Sequence, residues 1–261
     1  MRTLKWSVSI WAIAILVSIL IMKNINHPEV RDQHAMHLVL IGASIGQGWR
    51  LSDWPARLHI VDFTAESIPA WQFDKSEVLD EVLMRPARKF HPTRTYLKSL
   101  FQAPPRKPDI VILKECSSYF PGNLLVYEHS IEDWVGRLQA RGTTVVLATV
   151  VPVTRTRAQR DLGKQESLLK YNEWIRQYAE QHDLNVLDLE AALHDGGTEK
   201  YLRDDFATAD GSHLNAAAYA VLDEVLRTFL AGLTRPQRTT RYQSQLYDEV
   251  SCLKTFPVSN N

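Results

Sequence analysis

Several things this chain lacks narrow its function before any motif is read. Of its 261 residues only two are cysteines, Cys116 and Cys252, too few for a disulfide framework. No Cys-x-x-Cys or His-x-x-x-His spacing occurs, so neither a zinc site nor another metal is expected, and no cofactor is implied. Thirty lysines and arginines balance thirty aspartates and glutamates, which removes the polybasic field that nucleic acid requires and excludes it as a partner. Glycine is absent between Gly48 and Gly122. A dinucleotide fingerprint fails because Leu51 stands where Gly46-Gln47-Gly48 would need its third glycine. No internal repeat or low-complexity tract is present.

What the chain does have begins with an uncharged, mostly apolar run from Trp6 to Met22, bounded by Arg2, Lys5 and Lys23. Seventeen helical residues span roughly 26 Å, the short end of a bilayer crossing. No small-x-small cleavage site follows it, so the reading is an uncleaved N-terminal transmembrane helix over residues 1–23 rather than a signal peptide. A polar stretch, 24–36, with Pro28 would be the tether. The slight excess of positive charge before the run places the main domain outside the cytoplasm, in the periplasm, with the chain held in the inner membrane.

From residue 37 the pattern changes. Strand-like runs at 37–41, 58–63, 109–113, 143–150 and 184–188 are mostly continuous stretches of Val, Ile and Leu, as expected for strands buried on both faces of a parallel sheet. Helical segments lie between them, at Ser130–Arg141, Lys164–His182 and Asn215–Leu230. Alternating strand and helix predicts a three-layer α/β/α sandwich with a five-stranded parallel, flavodoxin-like sheet. In that strand order ligands bind beyond the carboxyl ends of the first and third strands, where the winding reverses. The domain is expected over 37–233, with 234–261 a C-terminal extension.

The chemistry is concentrated at that rim. The first strand, His37-Leu38-Val39-Leu40-Ile41, runs into Gly42-Ala43-Ser44-Ile45-Gly46-Gln47-Gly48, which places a serine hydroxyl at a strand exit in backbone whose glycines accept positive φ. A hydroxyl needs a neighbouring base to attack, and histidine is the side chain that titrates nearest neutrality. Asp210-Gly211-Ser212-His213, just before the last helix, supplies a candidate base, with Asp210 three residues away to orient it. The bland alternatives are a helix N-cap at Ser44 and a turn former at Asp210.

These two blocks resemble those of the SGNH, or GDSL-type, serine hydrolases, in which a Gly-Asp-Ser-like block follows the first strand and an Asp-x-x-His block closes the domain. Pro108-Asp109-Ile110-Val111-Ile112-Leu113 looks like the family's third strand, and the resemblance covers about 37–231. It implies an ester hydrolase with Ser44 as nucleophile, His213 as base and Asp210 as its partner. Ala43 replaces the family's Asp, and Cys116-Ser117-Ser118-Tyr119 stands where Gly-x-Asn-Asp is usual, so the oxyanion donors are expected from the Ser44 N–H, from Ser118 or Asn123, and from backbone at Ala65, Glu66 or Ser67. The Gly-x-Ser-x-Gly spacing also fits the elbow of α/β-hydrolases, but there the serine follows several strands and the acid is remote from the histidine.

Other residues have two readings. Glu115 extends the third strand into the presumed site, to bind a polar substrate group or to form an ordinary ion pair. Trp49, Trp54 and Trp71 would be either a platform for a sugar or acyl chain or core. Cys116 is a minor alternative nucleophile. The expected activity is cleavage of an ester on acylated carbohydrate or lipid, the substrate a small-molecule or glycan ester. The alternatives are a polysaccharide O-acyltransferase of the same fold or a catalytically silent module that binds glycan or protein.

Overall fold

A computed structural model describes residues 35–60, 62–69, 77–85, 106–116 and 120–233. Five strands form one sheet: β1 (Met36–Gly42), β2 (Phe63–Pro69), β3 (Ile110–Lys114), β4 (Thr144–Ala148) and β5 (Asn185–Leu187). Every pairing is parallel, and the order is β2-β1-β3-β4-β5. The sheet was therefore readable as flavodoxin-like, and the winding reverses between β1 and β3.

The strands alternate between two cores, because successive side chains leave a strand on opposite faces. Val39, Ile41, Val111, Leu113, Val145 and Leu147 bury against α3 (Glu77–Leu83), α4 (Leu124–Ala140) and α6 (Lys164–Gln181). Leu38, Leu40, Ile110, Ile112, Val146 and Ala148 face the other way. There they meet α1 (Ser44–Gly48), α2 (Trp54–Arg57), α7 (Leu189–Leu193) and α8 (Ala216–Leu233). One further short helix, α5 (Arg155–Arg160), sits beyond β4. Continuous apolar sequence in β1, β3 and β4 is the consequence of burial on both faces.

The second strand lies later than expected, at Phe63–Pro69 instead of 58–63. Leu58 to Ile60 close the turn after α2, with His59 at φ +53, and the true strand reads polar because it forms the sheet edge. The helix expected from Ser130 begins at Leu124. Ser130 is internal to it, its hydroxyl donating back to the Val126 carbonyl at 2.8 Å, so a residue typical of caps served no cap. Asn215 does cap α8, accepting the Ala218 N–H at 3.1 Å.

The membrane-anchored architecture is corrected. Among the described residues no helix is long and apolar enough to cross a membrane. The run Trp6–Met22, the tether and the extension 234–261 lie outside the described residues. The sandwich is the fold, and the transmembrane helix, membrane partner and inner-membrane location inferred from that run have no support in the structure.

Candidate active site

Ser44 is the first residue of α1, two positions past the end of β1. The strand-to-helix turn does not use the positive φ that its glycines offered, since neither Gly42, Gly46 nor Gly48 adopts one. Close packing explains two of them. A Cβ on Gly46 would lie 2.5 Å from Leu40 Cδ2, and one on Gly48 would lie 2.2 Å from the Tyr219 hydroxyl. Tyr219 of α8 donates to the Ile45 carbonyl at 3.2 Å, and the Ser67 hydroxyl of β2 donates to the Gly46 carbonyl at 2.9 Å. Burial pushes the Tyr219 phenol up to about 12, so it remains a donor. Behind them Asp223 of α8 accepts from the Trp49 indole at 2.8 Å and from Arg57 through two nitrogens, at 2.8 and 3.1 Å. The helix that begins with Ser44 is thus bolted to the helix that follows His213.

His213 and Asp210 occupy an irregular loop, 208–213, closed by an antiparallel bridge between Ala207 and Leu214 just before α8. The His213 Nε2 lies 3.0 Å from Ser44 Oγ, and its Nδ1 is hydrogen-bonded to Asp210 Oδ2. The other carboxylate oxygen of Asp210 accepts the N–H groups of Ser212 and His213, at 2.8 and 2.9 Å, and the Thr208 hydroxyl at 3.0 Å. Partial desolvation works to raise the Asp210 carboxyl, but these donors and the imidazole outweigh it and hold the group far below the usual carboxylate range. Asp210 is therefore an anion with no proton to share, fitted to fix one imidazole tautomer.

Gly211 turns this loop at φ +75 and leaves no room for a side chain: a Cβ would sit 2.5 Å from Thr154 Oγ1. The Thr154 N–H donates to the Gly211 carbonyl at 2.9 Å. Arg157 and Arg160 of α5 donate to the Asp210 carbonyl at 3.4 and 3.1 Å. None of these α5 contacts was visible in the sequence. Only the Asp-Gly pair, a turn signal, hinted at the left-handed residue.

A family model for the GDSL-like lipase/acylhydrolases matches residues 40–221, from the middle of β1 into α8. The chain belongs to that family. As a GDSL-type hydrolase it is an enzyme of ester bonds. Its fold is similar to a GDSL-like lipase of Bacteroides thetaiotaomicron, at TM-score 0.55 and 16% identity, over 76% of this chain and 88% of that one. It is also similar to a lipase/acylhydrolase of Enterococcus faecalis, at TM-score 0.53 and 16% identity, over 78% of this chain and all of the other. An acetyl xylan esterase aligns at TM-score 0.50 and 18% identity, over 74% and 98% of the two chains. No curated protein matches the sequence.

Against this family frame the remaining candidates separate. Ala65 pairs with Leu38 in mid-sheet, four residues or roughly 13 Å from the strand end at Pro69, so the structure does not bring it to Ser44. Asn123 stands exposed immediately before α4, and its side chain makes no capping bond. Ser118 and Trp71 lie outside the described residues. Glu115 is buried at the end of β3, where its carboxylate accepts the Cys116 N–H at 2.8 Å. Beside it Lys114, in register with Gly42, is buried and donates to the Glu115 carbonyl at 3.0 Å. Burial pushes the Lys114 ammonium below its ordinary value, against the pull of Cys116 and Glu115. Trp49 and Trp54 are core side chains, 1% and 0% exposed, which removes them as a substrate platform. Their rings were drawn inward because indole N–H groups find buried acceptors on α8. Cys116 is buried too, and Cys252 lies outside the described residues. Among the described residues no cluster of His, Cys, Asp and Glu could hold a metal.

Proposed function

We propose that this GDSL-type hydrolase cleaves its ester by acyl transfer to Ser44. The observation that carries the reading is the unbroken hydrogen-bond chain Ser44 Oγ, His213 Nε2, His213 Nδ1, Asp210 Oδ2. His213 takes the serine proton as Oγ attacks the carbonyl, then delivers it to the departing alcohol. Water, deprotonated by the same imidazole, releases the acid from the acyl-enzyme. Asp210, kept ionised by its four donors, orients the ring and stabilises the imidazolium.

The tetrahedral oxyanion needs donors at the rim. As first residue of α1, Ser44 has an N–H without an intrahelical acceptor, aimed out of the helix start. Asn123, exposed and uncommitted to its own helix, is the side-chain donor we assign. One such donor contributes about a hundredfold to a thousandfold in rate.

Ser44→Ala should abolish hydrolysis of a short-chain nitrophenyl ester, and a fluorophosphonate probe should label the wild type at Ser44 alone. Unchanged turnover in that variant would refute the assignment. A complete hydrogen-bonded chain favours chemistry over a silent binding module, which needs no base within reach of its serine.

A further inference from the structure

We propose that the substrate carries a negatively charged group on the alcohol side of the scissile ester, and that Arg160 recognises it. The inference rests on the acyl-transfer reading above. In that reading His213 hands its proton to the leaving oxygen, so the alcohol must depart over Nε2, on the flank of the site formed by the 208–213 loop. The guanidinium groups of Arg157 and Arg160 stand on that flank, both donating to the carbonyl of Asp210, the residue that holds His213.

The two arginines differ in what else binds them. Arg157 is tied to Asp161 at 2.7 Å, and Lys164 shares that carboxylate at 2.9 Å. Arg160 is exposed, and among the described residues no carboxylate lies within ion-pair distance of it. Arg155, also exposed, reaches an exposed Glu199 at 3.6 Å and lies over the Tyr201 ring, 4.7 Å from its centroid. Residues 154–164 hold four cations and one carboxylate in a chain whose total charge is zero. Set against Asp161, Glu199 and the Asp210 anion, these four cations leave one positive charge in excess beside the base, and it falls on Arg160, the cation with no carboxylate in ion-pair reach among the described residues, where it attracts an anionic substrate. A guanidinium with one N–H on a carbonyl keeps further donors in a planar fork suited to carboxylate or phosphate.

The test compares 4-acetoxybenzoate with 4-acetoxybenzamide, esters that share an acyl group and differ in the charge of the alcohol. Wild type should favour the anion by about fivefold in kcat/KM at low salt, the scale of one exposed ion pair, and the preference should fade as salt screens it. Arg160→Ala should bring the ratio to about one, Arg160→Glu should invert it, and Arg160→Lys should retain most of it. 4-Acetoxyphenyl phosphate, run alongside, separates phosphate from carboxylate by which anion gives the larger preference. A wild-type ratio of one, or a ratio that survives Arg160→Glu, overturns the proposal; equal losses on both esters would mean that Arg160 only braces the loop, and overturn it as well. If neither ester turns over while the fluorophosphonate still labels Ser44, protection from labelling by 4-hydroxybenzoate and by its amide is compared, and equal protection is the overturning result. Absence of labelling defeats the serine reading itself, and this one with it.

Discussion

Ser44 and His213 meet across a single hydrogen bond, yet the two sides of that bond are held by different physics. The serine side is packed: β1 is buried on both faces, Gly46 lies against Leu40, Gly48 lies under Tyr219, and Trp49 reaches into α8. The histidine side is polar and open, with His213 and Asp210 side chains 49% and 42% exposed and fixed by hydrogen bonds to Asp210 and to α5. A close-packed interior resists any change of volume, whereas a hydrogen-bonded loop at the surface fails by moving. Damage to the first region should therefore show in stability, and damage to the second in rate.

The largest effect should come from the open side. Asp210→Asn keeps the shape of the side chain but offers the imidazole the wrong partner, and kcat should fall on the order of ten-thousandfold while the urea midpoint moves little. Stopped turnover accompanied by unfolding would contradict the division between the two regions. Next is Gly211→Ala, which forces an L residue to φ +75 and drives a methyl into Thr154. The loop must shift, and a displacement near 1 Å should cost about a hundredfold in kcat/KM, with circular dichroism and melting nearly unchanged.

On the packed side we expect the opposite signature. Gly48→Ala places a methyl where the Tyr219 hydroxyl stands and should destabilise the domain by about 1–3 kcal/mol in urea unfolding. Adding Tyr219→Ala should recover part of that loss, because the overlap disappears; additive losses would show that the glycine is required for some other reason.

The smallest effect concerns pH. Burial works to raise the Asp188 carboxyl, but the bidentate Arg176, the Ala191 N–H and the Thr149 hydroxyl hold it below its ordinary range. A depressed carboxyl gives stability that is complete above its unfolded value, near 4, and is lost as the pH falls through the folded one. Between pH 7 and pH 3 the wild type should lose more urea resistance than Asp188→Asn, measured by tryptophan fluorescence. Equal slopes would place the acid sensitivity elsewhere.

Much of this molecule was legible because its signals are local. The apolar runs of β1, β3 and β4 report burial on both faces, and the serine and Asp-x-x-His blocks report the residues now found within hydrogen-bond reach. The shifted second strand was missed because an edge strand keeps polar side chains such as Thr64 and Glu66, and the early start of α4 because Ser130 bonds within the helix it was expected to begin. Between the two sequence readings of Trp49 and Trp54, substrate platform or core, only the structure decides for core, because their acceptors lie on α8, more than 160 residues away.

Sequence by itself determined the parallel sandwich, the family and the residue types that can perform acyl transfer, since each depends on periodicity or on a short block of chemistry. Tertiary structure alone decided that Gly46 and Gly48 serve close approach and not left-handed backbone, that α5 braces the Asp210 loop, and that Arg160 has no counter-charge within ion-pair distance among the described residues. Those are contacts between segments far apart in the chain, and nothing in either segment encodes the other's position until the sheet has brought them to one rim.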